Sequence, residues 1–113
     1  MRKLILEEWL SLDGFAADVN GELSFMESVT HYADEEQLSF LDGIDNILLG
    51  AKTYELFDFW PTATVQQEII ADKLNSIPKI IFSGTMNQAP WGLWPEAILI
   101  KTDAATAVRK LKS

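Results

Sequence analysis

Cysteine is absent from this chain of 113 residues, which excludes disulfides, thiolate nucleophiles and cysteine-held metals. Histidine occurs once, as His31, so no histidine metal cluster can form. That histidine sits at a polar helix start, where a solvated or capping role is the ordinary one. Nine basic residues face seventeen acidic ones, for a formal net charge of −8. Such a field opposes non-specific binding to nucleic acid or anionic lipid, and a phosphate-bearing ligand has to be held by local donors. Arginine is confined to Arg2 and Arg109. Long apolar runs are missing too: Leu4-Ile5-Leu6 lies between Arg2-Lys3 and Glu7-Glu8, far too short for a signal peptide or a membrane span. A cytoplasmic address is compatible with these absences.

What is present suits a packed core. Hydrophobic residues make up 48% of the chain and include four tryptophans, so one domain over residues 1–113 is expected, burying roughly two-thirds of its unfolded surface. Residues 3–12 read as a first strand, closed by the Asp13-Gly14 turn signal. A loop follows through Ser24, and residues 28–42 read as a helix with Tyr32, Leu38 and Leu41 on its buried stripe. A strand over 44–49 feeds a short helix over 51–59, stopped near Trp60-Pro61. Residues 64–76 read as an amphipathic helix with Val65, Ile69, Ile70 and Leu74 on one side. Strands at 78–83 and 97–100 flank a loop in which Trp91 and Trp94 are either a plug over the sheet, the commoner role of tryptophan, or an interface patch, and a helix over 103–111 closes the chain. Strands alternating with helices predict a largely parallel α/β sheet.

The segment Asp45-Asn46-Ile47-Leu48-Leu49-Gly50-Ala51-Lys52-Thr53-Tyr54-Glu55 carries the sharpest functional signal. An apolar run stops at a glycine and a helix begins at once, which places unpaired backbone N–H groups at the carboxyl end of a strand, where α/β sheets bind anions. Two readings of Gly50 stay open: a glycine needed for the conformation of the turn, or one that lets a phosphate approach the backbone, with Thr53 adding a hydroxyl. A nucleotide P-loop is excluded, because Ala51 separates Gly50 from Lys52. Glu7-Glu8 and Glu35-Glu36 are solvated charge, since sequence neighbours point to different sides of an element. Glu22 and Glu27 are carboxyls of the loop before the first helix.

Ser11-Leu12-Asp13-Gly14, then Ala16, then Gly21-Glu22, resembles the Ser-Leu-Asp-Gly signature of the dihydrofolate-reductase-like superfamily, in particular the riboflavin-biosynthesis reductase domain. Gly50-Ala51-Lys52-Thr53-Tyr54-Glu55 resembles the Gly-x-x-Thr turn of the same superfamily. Pro78-Lys79-Ile80-Ile81-Phe82-Ser83 is similar to its next strand, and Phe59-Trp60-Pro61 resembles an ending found in small dihydrofolate-reductase-family proteins. The resemblance covers essentially the whole chain in the same order. It implies a dihydrofolate-reductase-like α/β fold, here incomplete at the C-terminus, with residues 1–113 as the N-terminal two-thirds of the family domain.

The resemblance also implies an NADPH-dependent oxidoreductase acting on a small molecule. Leu12, Asp13 and Ala16 would flank the nicotinamide, with Asp13 as the candidate catalytic carboxyl; the alternative for Asp13 is a turn-capping role. Gly50, Ala51, Lys52 and Thr53 would meet the cofactor phosphates, and Ser83 would lie near the adenosine end. Three departures stand against the family pattern. Ala51 occupies the place where folate-reducing relatives carry an arginine for the 2′-phosphate, with Lys52 beside it. No arginine lies downstream of the turn, where riboflavin reductases grip a ribose phosphate. The family's next strand and glycine-rich turn are missing after Ser113. A noncatalytic or partial domain acting through self-association is therefore the second hypothesis, and unpaired strand edges predict a homodimer, or else a fragment of a longer protein, rather than a stable monomer.

Overall fold

The computed structural model describes residues 2–26 and 34–113. Its centre is a sheet of three parallel strands, β1 (Ile47–Gly50), β2 (Lys79–Phe82) and β3 (Ile98–Ile100), in the order β1-β2-β3. Four helices accompany it: α1 (Asp34–Asp42), α2 (Ala51–Leu56), α3 (Ala71–Ser76) and α4 (Ala104–Lys112). The predicted α/β architecture, parallel strands flanked by helices, is the one observed. Sequential parallel strands need crossovers, and here α2 and α3 cross from β1 to β2 while the tryptophan loop crosses from β2 to β3.

Register decides which residues form the core. Leu49 pairs with Ile81 and Ile81 with Leu99, so these three point to one face, because side chains alternate along a strand. That face packs against Leu41 of α1, Ile70 and Leu74 at α3, and Trp91. Ile81 is fully buried and Trp91 is 1% exposed; each such side chain stabilises the fold by roughly 1.5–3 kcal/mol. On the opposite face Ile80 is buried, while its β3 neighbour Ile98 is 55% exposed. The Trp91–Trp94 plug is observed as a small turn closed by a bridge between the two tryptophans. Gly92 at its tip has φ 55°, a left-handed conformation that favours glycine, and a Cβ there would lie 2.8 Å from Pro61 Cβ.

Several expectations are corrected. Residues 3–12 form no strand: the segment is exposed and its backbone joins no ladder. It is anchored at Arg2, which hydrogen-bonds Asp45 and the carbonyls of Leu111 and Lys112, and at Glu7, which accepts from Gln37. An apolar strand pattern needs a neighbouring edge to become a strand, and none of the described elements supplies one. The helix over 64–76 shrinks to Ala71–Ser76, preceded by turns in which Gln67 Oε1 accepts from the Thr64 N–H and hydroxyl. This local side-chain bonding competes with the helix, and Val65 and Ile69 stay exposed while Ile70 and Leu74 are buried. The helix over 51–59 ends at Leu56, with a 3-10 turn at Trp60–Thr62. Of the helix over 28–42, the part from Asp34 is described; Glu27, His31 and Tyr32 lie outside the described residues.

Candidate functional site

Parallel strands bring their carboxyl ends to one edge of the sheet, and the edge residues are consecutive in space. Gly50 pairs with Phe82, and the N–H of Ser83 donates to Ile100 O at 3.1 Å. The structure thus places the Gly50 turn, Ser83 and the residues after β3 side by side. Gly50 is the N-cap of α2 and supplies no side-chain cap, so the first N–H groups of the helix have no partner from their own cap residue. With six residues α2 carries a small dipole, and the turn's attraction for an anion rests on individual N–H groups more than on the helix as a whole.

The two readings of Gly50 can be separated by its geometry. Its φ of −78° and ψ of 167° are open to any residue, and a Cβ added to it would meet nothing within 4 Å. Neither conformation nor packing inside the chain requires a glycine there. Gly84, beside Ser83, also faces open space. Thr53 and Ala51 are half-buried, whereas the Lys52 side chain is 93% exposed, 3.9 Å from Glu55. Ser83 Oγ accepts from the N–H groups of Thr85 and Met86 at 3.2 and 3.1 Å and lies 3.5 Å from Thr85 Oγ1, a contact in which either hydroxyl can donate. Tyr54 pins α2 in place: its hydroxyl donates to Pro90 O at 2.5 Å and its ring stacks obliquely on Trp91. Burial, aided by Glu96, raises the Tyr54 phenol above its ordinary range and keeps it a donor.

The Ser-Leu-Asp-Gly segment forms a separate, locally closed turn. Ser11 Oγ donates to Asp13 Oδ1 at 2.5 Å and accepts from the Phe15 N–H, and the Gly14 N–H donates to Ser11 O. Leu12, Asp13 and Ala16 are exposed on it. Its hydrogen bonds are internal, and none of them joins it to Gly50 or Ser83. The next turn is organised by Asp18, a residue the sequence reading passed over. Asp18 accepts from the Glu22 and Asn20 N–H groups and the Ser24 hydroxyl, and the Glu22 bond above all holds its carboxyl below the usual range.

Lys101 and Thr85 were also missed. Lys101 follows β3 at the carboxyl edge and donates to Asn87 at 3.0 Å; the apolar run Ala97–Ile100 ending in a lysine was its available signal. Both arginines lie away from this edge. Arg2 pairs with Asp45 at 2.8 Å, at the amino end of β1, and Arg109 occupies the last turn of α4. Among the described residues no group of three or more histidine, cysteine, aspartate or glutamate side chains is placed to hold a metal.

No family model matches the chain, and no curated protein does. A crystal structure of a Shewanella sp. PV-4 protein, assigned provisionally to riboflavin biosynthesis, shares the fold, with a TM-score of 0.65 and 23% identity. The match covers 90% of this chain and 54% of the Shewanella chain, so this chain spans about half the length of that neighbour. Among the described residues no helix is long and apolar enough to cross a membrane.

Proposed function

We propose that the chain is a cytoplasmic NADPH-dependent reductase of the dihydrofolate-reductase and riboflavin-biosynthesis type, acting on a small heterocycle. The observation that carries this reading is Gly50, a glycine for which the fold itself has no use, at the carboxyl end of a parallel strand and beside Ser83. A glycine kept free of any internal duty is what close approach of a phosphate to the backbone requires. When bound, the nicotinamide supplies the hydride. The chain's own residues hold and orient: Gly50, Ala51 and Thr53 through backbone N–H groups and the Thr53 hydroxyl, Ser83 through its hydroxyl, Lys52 and Lys101 through charge.

Leu12 and Ala16 are assigned to the nicotinamide side and Asp13 to holding a proton for the substrate, on the strength of the motif resemblance. Preference for NADPH over NADH is weak in this reading, since Ala51 stands where an arginine would grip a 2′-phosphate and a lysine is a less specific phosphate ligand. The positions of Arg2 and Arg109 also argue against a phosphoribosyl substrate and for a neutral, pterin-like heterocycle.

Titration of NADPH fluorescence tests the proposal. Saturable binding is expected below millimolar cofactor, and Gly50→Ala should weaken it about tenfold, the equivalent of ~1.4 kcal/mol, with the fold unchanged by circular dichroism. A folded sample with no saturable change at millimolar NADPH removes the reductase reading and leaves the noncatalytic alternative.

A further inference from the structure

The helix that carries the Gly50 turn has little of its own to hold it in shape. With six residues, none of them fully buried, and no side-chain bond at its N-cap, α2 is too short to be stable as an isolated helix. Its Lys52–Glu55 pair is 3.9 Å apart with both side chains in solvent, where an ion pair contributes little. Tyr54 ties it down. The half-buried ring packs on the core, 6.2 Å from the Trp91 ring at an angle of 39°, and the hydroxyl donates to Pro90 O at 2.5 Å. Among the described residues no other side chain of α2 makes a hydrogen bond outside the helix.

The acceptor is itself held on both sides. The Ala89 N–H donates to Glu96 Oε1 at 3.0 Å, and the Ala89 carbonyl accepts from the Ala97 N–H at 2.9 Å. Trp91 Nε1 donates to Asn75 Oδ1 at 2.7 Å, and Lys79 Nζ lies 4.6 Å from the Trp91 ring centroid. Pro90 O is therefore a fixed point, and a bond to it passes that fixity on to α2. Tyr54 lies one helical turn after Gly50, so the bond acts on the turn whose N–H groups at Ala51, Lys52 and Thr53 lack intrahelical acceptors. The loop that supplies Pro90 also begins at Ser83, the other half of the candidate site. An anion held by several N–H groups binds more tightly when they are already aimed, because little order has then to be gained on binding.

We propose that Tyr54 is a positioning residue for the Gly50 turn: its hydroxyl, bonded to Pro90 O, carries the rigidity of the tryptophan loop to the first turn of α2 and so sets that turn's affinity for a phosphate. Ring and hydroxyl have separate duties. The ring fills space against Trp91, which a phenylalanine would do as well, whereas the hydroxyl aims the helix. The proposal rests on the reading of this edge as a cofactor phosphate site, and adds to it a residue that itself touches no phosphate.

Tyr54→Phe keeps the ring and removes the bond. On the full chain without ligand, amide hydrogen exchange at Glu55, Leu56 and Phe57, whose N–H groups close α2, should quicken about three- to tenfold, the range that one hydrogen bond gives. A tyrosine that served overall stability alone would quicken only the slowest amides of the sheet, which exchange by global unfolding. Fluorescence titration should show NADPH binding weakened by a similar factor of about three to ten. Ile77→Val trims a buried side chain at the end of α3 for a comparable loss of stability, and should leave the affinity unchanged. Unaltered exchange of α2 in Tyr54→Phe overturns the proposal, and so does a wild-type affinity in that variant or a loss of affinity equalled by Ile77→Val. A wild type that binds no NADPH overturns the reductase reading instead, and the exchange rates, measured without ligand, then decide on Tyr54 by themselves.

Discussion

Asn75 is the polar centre of the tryptophan plug, and removing its amide should unsettle the whole face of the sheet beneath it. The side chain is 3% exposed at the end of α3. Its Nδ2 donates to Trp60 O at 2.8 Å and its Oδ1 accepts from Trp91 Nε1 at 2.7 Å. Asn75→Ala leaves the buried Trp91 indole N–H without its partner and takes from Trp60 O one of its two hydrogen bonds, the other coming from the Ala63 N–H at 3.1 Å. The orphaned N–H costs about 1–3 kcal/mol and the lost bond to the carbonyl about 0.5–1.5 kcal/mol, so the expected loss is about 1.5–4.5 kcal/mol out of a typical total of ~5–15 kcal/mol. Urea unfolding followed by far-ultraviolet circular dichroism, at one fixed protein concentration, measures it. Trp91→Phe removes the donor alone, and in the double variant the two costs should overlap by at least ~0.5 kcal/mol, since residues in one hydrogen-bond network do not add. A loss below ~1 kcal/mol for Asn75→Ala, with strict additivity, would refute the reasoning.

Lys79 lies 4.6 Å above the Trp91 ring, donates to the carbonyls of Leu74 and Asn75, and is pushed down to about 8 by burial. Because its folded pKa is below the unfolded one, the unfolded chain binds the extra proton between about pH 8 and 10.5 and stability rises across that window; the urea midpoint should increase with pH there, and Lys79→Met should abolish the increase. Gly92→Ala meets both a left-handed φ and Pro61 Cβ at 2.8 Å, and a loss of about 1–3 kcal/mol is expected by the same unfolding assay. Turnover assays should favour an uncharged heterocycle over the ribosylaminopyrimidine phosphate of riboflavin synthesis, which lacks an arginine anchor worth ~1.5–3 kcal/mol; efficient turnover of the phosphate would show that another cation takes the arginine's place.

Where a local pattern and its burial coincide, the amino-acid sequence alone was sufficient. The apolar runs at Ile47–Leu49, Lys79–Phe82 and Ile98–Ile100 became the three strands in parallel order, and Asp103 caps α4 through the Thr106 N–H as its position announces. The abrupt passage from Leu49 through Gly50 into a helix was legible for the same reason: a strand end and a helix start are local events. Three things depended on tertiary structure. The segment from Leu4 to Leu12 has the composition of a strand, yet among the described residues no edge of the sheet reaches it, so it joins no ladder. Thr64–Ile70 has helical periodicity, yet Gln67 turns back onto Thr64 and leaves Val65 and Ile69 in solvent. Gly50 and Ser83 are 33 positions apart in the chain, and it is strand register that sets them side by side at the carboxyl edge. Register also determines that the glycine meets open space, which a sequence cannot express because emptiness is a property of how the neighbours pack.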